Sequence, residues 1–160
     1  QEGINSLSLD KVCFITTNSS ASASELVING LKPYIDVKTI GTKTHGKYVA
    51  SITLYDSPNL FNKENINPNH NWAMQPIVLE IKNKLGENST EGFTPNIVLS
   101  EDYNNLGILG ETTDPLLQRT ITYITTGSKG KALLNKNILT AFYNSKLALP
   151  TSNNMYVEIK

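Results

Sequence analysis

The feature that most constrains this chain is a short apolar run that leads directly into a polar turn. Residues 10–17 are apolar and β-branched, which is typical of a strand buried on both faces of a sheet. Residues 18–25 are small and polar, and a second short apolar run follows at 37–40. With a helix between the two runs, the predicted order of elements is strand, helix, strand.

The helix between the two strands is predicted from its periodicity. Val27, Leu31 and Tyr34 recur at helical spacing and are expected to face the core. Because Pro33 cannot continue a helix, we expect the helix to end near Leu31.

Further strands are indicated by alternation and by the turn residues around them. The alternation over 48–55 is typical of a half-buried strand, and short extended pieces are predicted at 77–81 and 97–99. Residues 56–73 are rich in asparagine and proline and have no periodicity, so they are predicted to form a long loop. A loop of this length inside a compact domain usually has a function.

A second helix is predicted from its start and stop signals. Asp114 and Pro115 stand in the N-cap and first helical positions, and Gly127 is a stop signal. The predicted core-facing stripe of this helix is Leu117, Ile121 and Ile124. A weaker helical pattern at 134–142 and an extended piece at 155–159 end the sequence.

The composition disfavours several function classes. Fourteen lysine and arginine residues balance 14 aspartate and glutamate residues, so no net positive charge attracts nucleic acid or anionic lipid. No apolar run approaches the roughly 20 residues that span a bilayer, so no integral membrane segment is expected.

Three isolated side chains are given structural roles. The lone Cys13 cannot form an internal disulfide and is expected to be an inert core thiol. His70 has no metal-ligating partner at a suitable spacing, so neither a metal nor another cofactor is predicted. Trp72 is expected to pack over the strand that follows it.

Ser22 supports two interpretations. Ser22 and Glu25 match a capping box, in which the two residues satisfy each other's backbone donors at the start of a helix. The same geometry also suits a nucleophile, because a serine on a tight strand-to-helix turn is exposed beside the free N–H groups of the first helical turn. The two interpretations differ in whether a base stands nearby.

The loop at 41–47 fits the first positions of a phosphate-binding G-x-x-x-x-G-K motif. Tyr48, however, stands where that motif needs a Ser or Thr hydroxyl for Mg²⁺. The following residues alternate like a strand, so no helix N-terminus faces the phosphates. A nucleotide site is therefore disfavoured.

The same loop contains two side chains that could accept a proton from Ser22, namely His45 and Lys47. A histidine needs little change in pKa to act near neutral pH, whereas a lysine must fall from about 10.4 to about 7–8. Chemistry alone favours His45. Only a residue on the same face as the Ser22 turn can reach it, however, and the sequence does not determine that register.

The two segments together resemble the C-terminal-processing, or tail-specific, serine peptidases. The resemblance rests on Ser-Ala-Ser-Glu at 22–25 before an apolar helix and on Thr-x-Gly-Lys at 44–47 before an apolar strand. The positions that hold the nucleophile and the base in that family are Ser22 and Lys47 here, 25 residues apart.

The resemblance extends well beyond these two motifs. Met-Gln-Pro-Ile at 74–77, Gly-Phe-Thr-Pro-Asn at 92–96, Leu-Gly at 109–110 and Asp-Pro-Leu-Leu at 114–117 are similar to the downstream part of bacterial members, particularly those from Bacteroides-like organisms. The resemblance covers about residues 8–127 in total.

This resemblance implies a fold, a reaction and a location. The fold is a ClpP/crotonase-like α/β core, a mixed β-sheet flanked by helices. In the reaction, Lys47 as the free amine removes the Ser22 Oγ proton, Ser22 attacks a peptide carbonyl, and water releases the acyl group. The Ala23 N–H is implied as one oxyanion donor. A polypeptide substrate, no cofactor, and an extracytoplasmic location in the periplasm or cell envelope, with a lipid anchor on an upstream segment, are implied as well.

The supporting positions of this chain depart from the family pattern. Members often carry a glutamine four residues after the lysine to orient it, where this chain has Ser51, a shorter side chain that can bond the amine only from closer range. Some carry an acidic residue 11 positions after the nucleophile, where this chain has Pro33. Glu25 is retained, but helix capping explains it without catalysis. His45 is expected to be a wall of the site.

The family's second oxyanion donor and its PDZ module lie upstream, and neither is expected within residues 1–160. The chain is therefore expected to be the C-terminal portion of one catalytic domain, with 128–160 as an extension. The other interpretation is a non-catalytic peptide-binding or assembly module on the same scaffold. Unpaired strand edges are expected to favour self-association or pairing with the upstream half.

Overall fold

The computed structural model describes residues 7–130. In chain order its elements are β1 (Lys11–Thr16), α1 (Ala23–Leu31), β2 (Asp36–Gly41), β3 (Val49–Ser51), β4 (Leu54–Tyr55), β5 (Ala73–Met74), β6 (Ile77–Glu80), β7 (Ile97–Val98) and α2 (Pro115–Thr126). The helical pattern predicted at 134–142 and the extended piece predicted at 155–159 lie outside the described residues.

A parallel three-stranded sheet forms the centre of the fold. β2 lies in the middle, with β1 on one side and β7 on the other. β1 pairs with β2 along its whole length, from Lys11 opposite Asp36 to Thr16 opposite Gly41. Because α1 connects these two parallel strands, the predicted strand–helix–strand unit and the α/β class are confirmed.

The core lies between this sheet and the helices. The buried apolar side chains of the described residues are Ile28, Ile40, Ile97, Leu99 and Leu116, and α2 packs on β1 and β2. The prediction that β1 is buried on both faces is wrong. Thr16 is buried while the neighbouring Ile15 is exposed, and successive side chains of a strand point to opposite faces. Both faces of β1 are therefore only partly covered within residues 7–130.

α1 ends at Leu31 as predicted, but it buries a different face from the predicted one. Its buried residues are Glu25, Ile28 and Asn29, whereas Val27 is exposed. Polar side chains can face inward here because they have hydrogen-bond partners. Asn29 Nδ2, for example, donates to the backbone oxygen of Glu87 at 2.8 Å. A partner that is distant in sequence thus determines which side of this helix faces the protein.

The ends of α2 are those predicted. Asp114 Oδ1 accepts hydrogen bonds from Leu116 N at 2.9 Å and from Leu117 N at 3.3 Å. Gly127 ends the helix with φ 70°, and its N–H donates to Tyr123 O at 2.9 Å. Both ends are determined by capping residues next to the helix, so they can be predicted from the local sequence.

The buried face of α2 differs from the predicted stripe. Leu116 and Thr120 are buried, whereas Ile121 and Ile124 are exposed. The observed face is displaced from the predicted one by one residue, or about 100° around the helix. Thr120 can occupy a buried position because its hydroxyl donates to Leu116 O at 2.8 Å.

The alternating segment 48–55 forms two strands rather than the single predicted one. β3 pairs antiparallel with β6, and β4 pairs antiparallel with β5. The β3–β6 register shifts between Ala50 and Ser51. Such an irregularity bends a strand, and the chain beyond it meets a different partner.

The long loop predicted at 56–73 is present, and β4 and β5 pair at its base. Asp56 Oδ2 accepts hydrogen bonds from Asn67 Nδ2 at 2.8 Å and from His70 Nε2 at 3.0 Å, and these bonds lower the pKa of Asp56. Trp72 N donates to His70 Nδ1 at 3.1 Å, so the neutral ring carries its hydrogen on Nε2. The Trp72 side chain is 80% exposed, so its predicted packing over the neighbouring strand is wrong.

Apolar side chains remain exposed on β6. Ile77, Val78 and Leu79 are all exposed, so this strand adds little to the core described above. Within residues 7–130, none of the helices combines the length and the apolar character needed to cross a bilayer.

Candidate active site

Ser22 precedes the first residue of α1 in an unusual backbone conformation. Its φ is 55° and its ψ is −110°. An ordinary N-cap residue has β-region angles, and residues other than glycine rarely adopt positive φ. A conformation of this kind costs of the order of 1–3 kcal/mol and persists only where the surroundings enforce it. Capping alone therefore does not account for the geometry of Ser22.

Glu25 is the group that enforces this arrangement. Its Oε2 accepts hydrogen bonds from Ser22 N at 3.0 Å and from Lys47 N at 2.8 Å. Its Oε1 accepts from Thr44 Oγ1 and from Gly46 N, both at 2.6 Å. The side chain is buried, with only 5% of the residue exposed. One carboxylate thus joins the start of α1 to the loop that follows β2.

The predicted capping role of Glu25 describes only one of these bonds. The bond to Ser22 N is the capping contact, and the other three go to residues 44–47. Burial alone raises the pKa of Glu25, but the hydrogen bonds favour its charged form and outweigh burial. The pKa therefore lies below its ordinary value, and the group is a carboxylate at neutral pH.

The loop that contains Lys47 is held by close backbone packing against a second segment, residues 89–93. Gly46 has φ 93°, and a Cβ on it would lie 2.6 Å from Thr90 O and 2.7 Å from Gly92 N. Gly92 has φ 81°, and a Cβ there would overlap Thr44 O. Because no side chain fits between the two segments, both glycines are needed for this contact.

Ser22 and Lys47 line one small cleft that is open to solvent. Both residues are half-buried. The cleft is lined by side chains from α1, from the two loops and from the end of the β6 segment, namely Ser22, Glu25, Leu26, Asn29, Lys47, Tyr48, Ile81, Ser89 and Phe93. The structure therefore brings the predicted nucleophile and the predicted base to the same side of the molecule.

The other predicted site residues are placed differently. His45 is exposed, its N–H donates to Ser20 O at 2.9 Å, and it is not among the residues that line the cleft. Ser51 lies on β3 opposite Ile77 and does not line the cleft either. Ala23 is the first residue of α1, where its N–H has no acceptor within the helix. Of the two candidate bases, only Lys47 shares the cleft with Ser22 in this part of the chain.

The loop at 41–47 is followed by a strand. β3 begins at Val49, so no helix N-terminus follows the Gly-Lys pair. This agrees with the prediction that the loop is not a phosphate-binding one. Within residues 7–130, no cluster of three or more His, Cys, Asp and Glu side chains is arranged to hold a metal ion.

Several residues of the site were missed by the sequence analysis. Thr44 and Phe93 lie within the two segments quoted for the resemblance, but neither was given a role. Asn29, Ile81 and Ser89 gave no signal, because they reach the cleft only through contacts between segments distant in sequence. The sequence did contain one signal for two of these residues, the glycines at 46 and 92. Gly46 is two residues after Thr44, and Gly92 directly precedes Phe93.

Comparison with known proteins gives one informative match. No protein-family model matches the sequence, and no curated protein matches it. A solved crystal structure of a candidate S41 protease from Bacteroides fragilis NCTC 9343 is similar to this chain, with a TM-score of 0.63 and 29% sequence identity. The match covers 76% of this chain and 29% of the other, so the chain spans less than a third of that protein's length. The similarity supports an S41 peptidase-like α/β fold for this chain.

Proposed function

We propose that this chain carries the nucleophile and the base of a serine peptidase, Ser22 and Lys47, on a ClpP/crotonase-like scaffold. Ser22 Oγ bonds to the carbonyl carbon of a polypeptide substrate while its proton passes to the Lys47 amine. The lysine returns that proton to the leaving amine as the C–N bond breaks, which leaves an acyl ester on Ser22. Water then attacks the ester while Lys47 takes one of its protons, and Lys47 passes that proton to Ser22 Oγ as the ester C–O bond breaks and the acid is released.

The observation that carries this proposal is the conformation of Ser22 beside Lys47 in one cleft. A serine with positive φ at the mouth of a helix is the geometry of a nucleophile elbow, in which the hydroxyl is held out for attack. Lys47 lines the same cleft, and its backbone is tied to that of Ser22 through Glu25. The similarity to the candidate S41 protease supports the proposal through the fold as a whole.

The oxyanion of the tetrahedral intermediate has one proposed donor in this chain. The Ala23 N–H opens α1 directly after Ser22, where the positive end of the helix also favours negative charge. We propose that a second N–H group also donates to the oxyanion, and that this group lies outside residues 7–130.

The non-catalytic alternative is favoured by one observation. Ser51, the position expected to orient the lysine, lies on β3 away from the cleft lining. A scaffold that keeps the cleft without this support could bind a peptide without cleaving it. Catalysis and binding must therefore be measured separately.

The test is covalent labelling of the intact protein with a fluorophosphonate, followed by mass spectrometry of the modified peptide. We expect modification of Ser22, loss of labelling in Ser22→Ala, and strongly slowed labelling in Lys47→Ala. Peptide cleavage is followed in parallel, and binding of the same peptide is measured by fluorescence anisotropy.

The chain provides matched controls for both variants. Ser24 is an exposed serine two residues further along the same turn, and Lys43 is an exposed lysine of the same loop. Ser24→Ala and Lys43→Ala should label like the wild type. Peptide binding without Ser22 labelling or cleavage would exclude the peptidase and leave the binding module.

A further inference from the structure

Thr44 stands behind the cleft and connects two parts of its wall. It is buried, with 4% of the residue exposed, and does not line the cleft itself. Its hydroxyl donates to Glu25 Oε1 at 2.6 Å and accepts from Phe93 N at 2.7 Å. Its own N–H donates to Phe93 O at 3.1 Å. Two side-chain hydrogen bonds and one backbone hydrogen bond thus hold Thr44 between the Glu25 carboxylate and the wall residue Phe93.

From this geometry we propose that Thr44 is a positioning residue for the Ser22–Lys47 pair. It acts through Glu25, and it links the wall at Phe93 to the two reacting residues. The inference rests on the proposed function, because it assigns Thr44 a role in the same reaction.

The hydroxyl group of Thr44 has a defined orientation. A hydroxyl carries one hydrogen, and a carboxylate can only accept, so this hydrogen points to Glu25 Oε1. The Phe93 N–H must then meet an oxygen lone pair. Glu25 Oε1 and Phe93 N are thus joined through one hydroxyl group. Thr44 therefore helps to hold the carboxylate, together with the three backbone N–H groups that donate to it.

The position of the carboxylate matters because its other oxygen serves both reacting residues. Oε2 accepts from Ser22 N and from Lys47 N. Loss of the Thr44 donor leaves Oε1 with only the bond from Gly46 N, so the carboxylate is held less firmly and Oε2 can shift relative to both backbones. Misplacement of reacting groups by as little as 1 Å can reduce a rate about 100-fold.

A valine at position 44 has nearly the same shape but removes the donor to Glu25 and the acceptor for Phe93 N. A serine at the same position keeps the hydroxyl and removes only a methyl group. Thr44→Val and Thr44→Ser therefore separate the hydrogen bonds from the packing.

Thr39 provides a matched control for a merely structural threonine. It is buried to the same degree, with 4% exposed, and its hydroxyl is within hydrogen-bonding distance of Asn96 Oδ1, at 3.2 Å. It lies on β2 and does not contact Glu25 through any hydrogen bond described for residues 7–130. Thr39→Val is expected to lower stability without changing the reaction of the folded protein.

The experiment measures the fluorophosphonate labelling rate of Ser22 in the intact protein, together with kcat and KM for a cleaved peptide and the thermal midpoint of each variant. We expect Thr44→Val to lower the labelling rate and kcat about 10- to 100-fold with little change in KM. Thr44→Ser should stay within about threefold of the wild type. Thr39→Val should label like the wild type at a temperature where it is fully folded.

The outcomes distinguish the two proposals. Absence of Ser22 labelling in the wild type would overturn the proposed function and this inference with it. Ser22-dependent labelling that is unchanged in folded Thr44→Val would overturn the inference alone. An equal loss in Thr44→Val and Thr39→Val would also overturn it, because the effect would then be general destabilisation. If Thr44→Val is not folded, Thr44→Ala is compared with Thr44→Ser, because these two differ only in the hydroxyl. A labelling rate at least tenfold lower in Thr44→Ala supports the inference, and a smaller difference overturns it.

Discussion

Ser22 and Lys47, which are 25 residues apart, donate their backbone N–H groups to the same oxygen atom, Oε2 of Glu25. The two bonds measure 3.0 and 2.8 Å. This shared acceptor fixes the start of α1 against the loop that follows β2. The relative position of the two proposed reacting residues is therefore a property of the backbone and of one carboxylate.

Replacing Glu25 with glutamine should destabilise the protein. The amide nitrogen of a glutamine is a donor, so at least one of the four hydrogen bonds would be replaced by two donors facing each other. We expect a loss of about 2–3 kcal/mol in the free energy of unfolding, measured by urea denaturation. Glu91→Gln is the control, because that side chain is 86% exposed and should change stability by less than about 0.5 kcal/mol. A Glu25→Gln protein as stable as the control would contradict the role assigned to this carboxylate.

The same carboxylate should make stability fall in acid. The pKa of Glu25 is lower in the folded protein than its ordinary value of about 4.3, so its contribution is fully present above that pH. The contribution is lost as the pH falls through the lower folded pKa. We expect the urea midpoint of the wild type to drop below about pH 4, and that of Glu25→Gln to drop less. The pKa of Asp56 is also lowered, so Asp56 contributes to the fall of the urea midpoint with pH in both proteins. Parallel curves for the two proteins would refute this assignment.

Adding a methyl group at Gly46 should cost more than adding one at Gly86. Both glycines have positive φ, of 93° and 78°. A Cβ at Gly46 would lie 2.6 Å from Thr90 O, whereas nothing lies within 4 Å of a Cβ at Gly86. Gly86→Ala should therefore show backbone strain alone, of about 1–2 kcal/mol, and Gly46→Ala about 2 kcal/mol more. Equal losses in denaturation would show that the two loops separate easily.

Glycine substitutions at positions 22 and 24 should have opposite effects on stability. Ser22 has a φ of 55°, which glycine adopts readily, so Ser22→Gly should be about 1 kcal/mol more stable than Ser22→Ala. Ser24 is the second residue of α1, where glycine is less favourable than alanine, so Ser24→Gly should be about 0.5 kcal/mol less stable than Ser24→Ala. Thermal midpoints of the four variants test this. A Ser22→Gly protein less stable than Ser22→Ala would show that the turn is not strained.

The sequence predicted those features that depend on neighbouring residues. The ends of both helices follow from Pro33, Asp114 and Gly127, which act within one turn of the chain. The buried faces of the helices were predicted wrongly, because they depend on distant partners. Asn29 faces inward to reach Glu87, which is 58 residues away.

The same distinction applies to the site. Ser22 and Lys47 were proposed from two short motifs, and the resemblance, not the chemistry of the side chains, favoured Lys47 over His45 as the base. The link from Thr44 to Phe93 joins residues 49 positions apart and leaves no local pattern. The sequence thus indicated candidate reacting residues but not the groups that hold them.

The pairing of β4 with β5 has a practical consequence for the loop between them. Since the two strands hold the ends of residues 56–72 side by side, the spacing of these ends does not depend on the number of residues in the loop. Each doubling of a flexible loop's length costs only about 0.6 kcal/mol, and no residue of this loop lines the cleft. An affinity tag or a small reporter inserted near Asn65 would therefore be carried on the surface, and the cleft on the other elements would stay intact.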